Sequence, residues 1–105
     1  MPLNNATLAN RGNVGSGGID LNNNSATYQK INSIASGAYF ILPEGATVSA
    51  GKMFFFYNTG DYYPIAVKTH AGDGFIDIIP SLVNNYISRM GQAVVIFDGT
   101  QWFAW

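Results

Sequence analysis

The sequence predicts an all-β fold: a small antiparallel β-sandwich or jelly-roll-like barrel over residues 36–105, preceded by an extended Asn/Gly-rich N-terminal arm over residues 1–35. Three observations carry this reading. From Tyr39 onward, short runs rich in Phe, Tyr, Ile and Val are separated by Gly, Pro, Asn and Asp, the rhythm of strands and turns in a sandwich or barrel. Apolar residues keep a helical spacing nowhere for longer than one turn, so no helix of useful length is expected. The first 35 residues differ in kind from the rest: eight asparagines fall within the first 32 positions, and Tyr28 is the only aromatic before Tyr39.

Taken in order, the arm holds too little apolar surface to fold alone. Gly12, Gly15, Gly17 and Gly18 add backbone freedom. Gly18–Leu21 and Ala26–Ile31 could become strands if given a surface to lie on. Two readings follow, a disordered tail or an arm that orders against a neighbour. The second is favoured, because Ile19, Leu21, Tyr28 and Ile31 are spaced as if to dock.

Tyr39–Leu42 reads as a strand stopped by Pro43, which has no N–H to give to a ladder. Residues Gly51–Lys68 read as the central β-hairpin, bent at Asn58-Thr59-Gly60-Asp61. In its second limb Tyr63, Ile65, Val67 and Thr69 share one face. Its first limb is apolar on both sides, with Met53, Phe55 and Tyr57 opposite Phe54 and Phe56. A two-sided apolar strand is normally covered twice, so a neighbouring copy or another protein is expected against it. His70–Gly74 is a second turn, Phe75–Ile79 a strand ended by Pro80, and Ser81–Met90 a loop plus short strand. Gln92–Phe97 and Thr100–Trp105 flank Asp98-Gly99, the strongest two-residue hairpin signal a sequence carries. No internal repeat of fixed period is expected.

Composition narrows the function classes. The net charge is −1 and only 10% of residues are charged, so there is no basic stripe for nucleic acid. No apolar run approaches the roughly 20 residues needed to span a bilayer. The absence of cysteine removes disulfides and thiolate metal sites. The N-terminal Met-Pro-Leu-Asn-Asn lacks the charged and apolar regions of a signal peptide, which predicts a protein made and used without secretion. Soluble domains carry about 25% charged residues, and a surface so poor in charge tends to associate. Permanent assembly is therefore expected.

The inventory for chemistry is thin. His70 is the only histidine and sits in a glycine-rich turn, with no motif bringing Ser81 or Ser88 and an acid to it. Asp73 and Asp77 supply two oxygens where a calcium loop needs several; Asp at turns ordinarily caps backbone amides. Gly12–Gly18 lacks the strand, helix and Lys-Ser/Thr that make a phosphate loop. No catalytic residue, cofactor or metal is expected, and the chain reads as no enzyme. The aromatic residues Phe54, Phe56, Tyr62, Tyr63, Trp102, Phe103 and Trp105 suit core and subunit contact, with a sugar-stacking platform as the other use. With Ile19, Leu21, Tyr28 and Ile31 they are the expected interface residues.

An ordered series runs through the body: Leu42-Pro43, Gly51, Phe55-Tyr57-Asn58, Pro64-Ile65-Val67, Gly74 with Ile76, then Val94-Ile96-Asp98-Gly99-Thr100-Trp102. It resembles a β-module common in tailed-bacteriophage structural proteins, particularly fibre-tip, head-fibre and capsid decoration domains, and covers residues 40–105. The resemblance implies a virion protein, made in the host cytoplasm, commonly trimeric and without catalytic residues. The chain opens on its own Met, lacks the long shaft sequence of a fibre and has the Asn/Gly-rich arm. These departures favour a decoration or cement protein that docks on the head through its arm and aromatic interfaces. Its expected partners are further copies of itself and virion proteins such as the major capsid protein. The alternative is a tail-fibre or head-fibre receptor-binding module that recognises a host surface glycan through Tyr62, Tyr63, Trp102 or Trp105.

Overall fold

Consecutive strands do not pair with one another over most of this chain; they alternate between two sheets. The computed structural model describes residues 8–70, 74–77 and 86–104. In order, the strands are β1 (Leu8–Val14), β2 (Gly17–Asp20), β3 (Tyr28–Ser33), β4 (Ala38–Ile41), β5 (Met53–Asn58), β6 (Ile65–Lys68), β7 (Gly74–Asp77), β8 (Tyr86–Ile87), β9 (Gln92–Phe97) and β10 (Gln101–Ala104). One sheet has the order β1-β3-β5-β9-β10-β7 and the other β2-β4-β6-β8. The all-β expectation holds.

The first six strands wind as a coil. Leu8 lies beside Tyr28 and Tyr28 beside Phe55, all parallel. In the second sheet Gly18 lies beside Tyr39 and Tyr39 beside Ala66, again parallel. One turn takes 20 residues, from 8 to 28, and the next 27, from 28 to 55. Unequal turns leave no repeat of fixed period, as expected. The antiparallel expectation fails here, because among the described residues five of the eight strand pairings are parallel. The other three, β5–β9, β9–β10 and β6–β8, are antiparallel.

The central hairpin is also corrected. β5 and β6 lie in different sheets, because both edges of β5 are taken, one by β3 and the other by β9. Residues 59–64 instead carry the chain across the core. The Asp98-Gly99 hairpin is present: Trp102 pairs with Phe97, and Gly99 takes the positive φ of +104° that the tight turn demands. The loop-plus-strand reading of Ser81–Met90 agrees with β8 and a turn at Arg89–Met90; residues 81–85 lie outside the described residues.

The arm reading does not describe residues 8–35. They form β1, β2 and β3, and their asparagines build turns and ladders. The Asn22 carboxamide oxygen accepts from the Asn24 amide at 2.7 Å, and the Asn22 amide donates to the Ser25 hydroxyl at 2.8 Å. Asn32 donates to Asn13 across the β1–β3 pair at 2.9 Å. Enough apolar surface enters the shared core, through Leu21 and Ile31, to fix this segment in place.

Alternation within each strand sets the core. Ile31 from β3, Phe54 and Phe56 from β5, Val95 and Phe97 from β9 and Trp102 from β10 point inward from the large sheet. Phe40, Ile65 and Val67 meet them from the small one. Phe40 and Phe56 touch across the layers with ring centroids 4.6 Å apart. Burying each such side chain contributes about 1.5–3 kcal/mol. Trp102 packs against Phe97 at 5.1 Å, and its buried indole N–H has no hydrogen-bond partner among the described residues.

Candidate interaction surface

Because β5 turns Phe54, Phe56 and Asn58 inward, it must turn Met53, Phe55 and Tyr57 outward. Register then spreads that greasy outer side over β1, β3, β5, β9 and β10 of the six-stranded sheet. Phe55 lies between Tyr28 of β3 and Val94 of β9, and Leu8 of β1 lies beyond Tyr28. A second row, Met53, Ile96 and Phe103, runs alongside. A third, Asn10, Lys30, Tyr57 and Gln92, is more polar.

The first row is ordered by stacking: the Tyr28 and Phe55 rings lie 4.9 Å apart and 17° from parallel. Between the first and third rows lies a groove of about 270 Å³, walled by Leu8, Tyr28, Phe55, Tyr57 and Val94, with Lys30 as its one charged lining residue. Leu8, Tyr28 and Tyr57 remain 41, 37 and 41% exposed. Phe55, Val94, Ile96 and Phe103 are half-buried.

The outer side of the small sheet is different. Gly18, Asp20 and Lys68 are exposed there, with half-buried Tyr39, Ile41 and Ala66 between them. Tyr39 lies over Gly18, where a side chain would meet its ring at 2.6 Å, and the Lys68 ammonium stands 4.1 Å from the same ring. The small sheet's outer face thus carries two charges, Asp20 and Lys68, among apolar neighbours, while the large sheet's carries two apolar rows.

A smaller feature stands on the link between β5 and β6. Tyr62 is 75% exposed, beside the partly exposed Tyr63, ring centroids 6.2 Å apart. Their loop is held from beneath by Asn58, whose carboxamide N–H donates to the Tyr63 carbonyl at 2.8 Å. The neighbouring turn carries Met90, 67% exposed and at a φ of +52°, with its amide donating to the Gly60 carbonyl at 2.8 Å.

The expected interface residues scatter between these places and the interior. Leu21, Ile31, Phe54, Phe56 and Trp102 are corrected: each is at most 5% exposed inside its own chain and offers nothing to a partner. Ile19 is half-buried and packs against the core. Tyr28 and Phe103 lie on the outer face of the large sheet, Tyr62 and Tyr63 on the loop, and Trp105 lies outside the described residues. Leu8, Phe55, Val94 and Ile96 were not among the expected residues. Only the register, which sets them side by side, shows them as one surface.

Among the described residues no three of His, Asp and Glu cluster as metal ligands. His70 and Ser88 are exposed, while Asp73 and Ser81 lie outside the described residues. Asp98 caps its own turn, accepting from the Thr100 and Gln101 amides at 2.7 and 2.8 Å. The Gln101 amide first, then that of Thr100, holds its carboxyl below the ordinary value of 3.8. Arg11, at the irregularity of β1, donates through Nε to the buried Gln29 side chain at 2.6 Å. No helix among the described residues is long and apolar enough to cross a membrane. No family model, curated protein or solved structure matches the chain.

Proposed function

We propose that this chain is a non-enzymatic structural protein of a tailed-bacteriophage virion, a decoration or cement protein that stabilises the head by docking through the outer face of its six-stranded sheet. The observation that carries the reading is that face: two rows of apolar side chains, centred on Phe55, with a single charge along their groove. Two facing sheets around one core fit the sandwich-like body that the sequence resemblance implies. Docking by a free N-terminal arm is replaced, since residues 8–35 are spent within the sheets.

The mechanism is mechanical. Each docked copy removes apolar surface from water at about 25 cal/mol per Å², and many copies bridging capsid subunits add these gains over the shell. The protein acts by lowering the free energy of the closed shell, without transforming any substrate. The test is cosedimentation of the purified chain with undecorated heads, followed by heating. Wild type is expected to bind and raise the temperature at which heads open, and Phe55→Lys to do neither. Wild type that leaves heads unbound would overturn the proposal.

One observation favours a second reading. Tyr62 and Tyr63 are held outward on an anchored loop, and such rings suit stacking on a sugar face. In this reading the protein is a fibre-type module that recognises host glycan. Glycan-array binding that disappears in Tyr62→Ala would select it.

A further inference from the structure

We propose that the groove on the outer face of the six-stranded sheet binds a small amphipathic anion, a slender apolar chain that ends in one carboxylate. Such binding does not require the docking role, although it uses the same face. Floor, walls and charge each select one part of that ligand.

The floor selects an apolar body. It is the row Gln29, Phe56 and Ala93, whose side chains turn inward and whose backbone belongs to the interior strands β3, β5 and β9. The peptide groups there are committed to neighbouring strands. The Gln29 carboxamide is likewise spent, accepting from Arg11 and donating to the Ala26 carbonyl. A sugar or a peptide main chain laid on this floor would give up hydrogen bonds to water and find few in return. An alkyl chain gives up none.

The walls set its width and length. They are rows of side chains two residues apart along each strand, about 6.6 Å from one another, with Tyr28, Phe55 and Val94 on one side and Lys30, Tyr57 and Gln92 on the other. From β3 to β9 is two strand spacings, roughly 10 Å. The volume of about 270 Å³ suits one unbranched chain of that length.

Charge sets the head group. Lys30 is exposed and is the one charged residue along the groove, and no carboxylate lines it. One ammonium at the β3 end matches one carboxylate and disfavours a cation.

The experiment uses the full chain and octanoate, with 1-octanol and octylammonium as uncharged and cationic analogues. Binding is followed by amide NMR shifts at low salt. Octanoate is expected to saturate a single site, to move Tyr28, Lys30, Phe55 and Val94 but not Tyr62, and to bind more tightly than either analogue. Lys30→Gln is expected to weaken octanoate about fivefold and to leave 1-octanol unchanged. Leu8→Glu, at a 41% exposed position on the edge strand, puts a carboxylate at the groove without touching the core and is expected to weaken octanoate in the same way. Octanoate that never saturates, shifts centred on the Tyr62 loop, or a Lys30→Gln chain that binds octanoate as wild type does would overturn the proposal. A groove that takes no octanoate leaves head docking standing. Octanoate binding by a chain that ignores heads does the reverse.

Discussion

Asn58 is fully buried, with its carboxamide divided among four backbone groups. The oxygen accepts from the Ser33 amide at 3.3 Å and the Gly60 amide at 2.9 Å, and the nitrogen donates to the Tyr63 carbonyl at 2.8 Å and the Ser88 carbonyl at 3.4 Å. This side chain knots β3, the end of β5 and the tyrosine loop together. Asn58→Ala removes the side-chain partner of two buried amides and two partly buried carbonyls. A loss of about 2–4 kcal/mol in chemical denaturation is expected, with faster exchange of the Gly60 amide. Asn58 also explains which side of β5 was hard to read from sequence. A polar residue in phase with Phe54 and Phe56 argues that their side faces out; it faces in because the backbone satisfies the amide. Asp98 shows the reverse case, a residue whose role was plain from its neighbours. Its carboxyl titrates below 3.8 in the folded chain, so its contribution is present above the ordinary value and lost as pH falls through the lowered one. The Thr100 and Gln101 amide shifts are expected to follow that titration at acid pH. Asp98→Ala should abolish the response.

At the scale of elements, turn chemistry was legible where it joins strands adjacent in sequence. The Asp98-Gly99 pair yields β9–β10 as expected. Asn58-Thr59-Gly60-Asp61 carries a similar bend signal but joins strands of different sheets. A local turn code cannot tell a hairpin from a crossing between layers, and parallel partners such as Gly18 and Tyr39 carry no local signal at all. The Asn-rich segment misled for a related reason. Composition measures how little apolar surface it has, not how well two residues, Leu21 and Ile31, are placed. This distinction has a direct test. Removing residues 2–30 takes away β1, β2 and the first half of β3, exposing one long edge of β5. Loss of the cooperative thermal transition is expected by circular dichroism. A truncated chain that melts like the full one would restore the arm.

For the whole molecule, the sequence holds fifteen aromatic side chains. Among the described residues Phe40, Phe54, Phe56, Phe97 and Trp102 are buried, while Tyr28, Tyr57, Tyr62 and Tyr63 are exposed. Which aromatic goes where is decided by long-range register, which composition does not contain. The winding of the first six strands has a kinetic consequence. A nascent chain that has just released Leu8–Val14 has nothing to lay beside it until a full circuit of backbone has followed. Ordering is therefore expected to begin late in the sequence, with β9–β10 and then β5, and to run backward toward the amino end. Closing such large loops before any contact rewards them is slow, so refolding on the millisecond-to-second scale is expected. Stopped-flow substitution at Ile31 should speed unfolding rather than slow folding, whereas substitution at Val95 should slow folding itself. Until its last third has been made, the polypeptide is expected to stay open, its apolar strands without their neighbours.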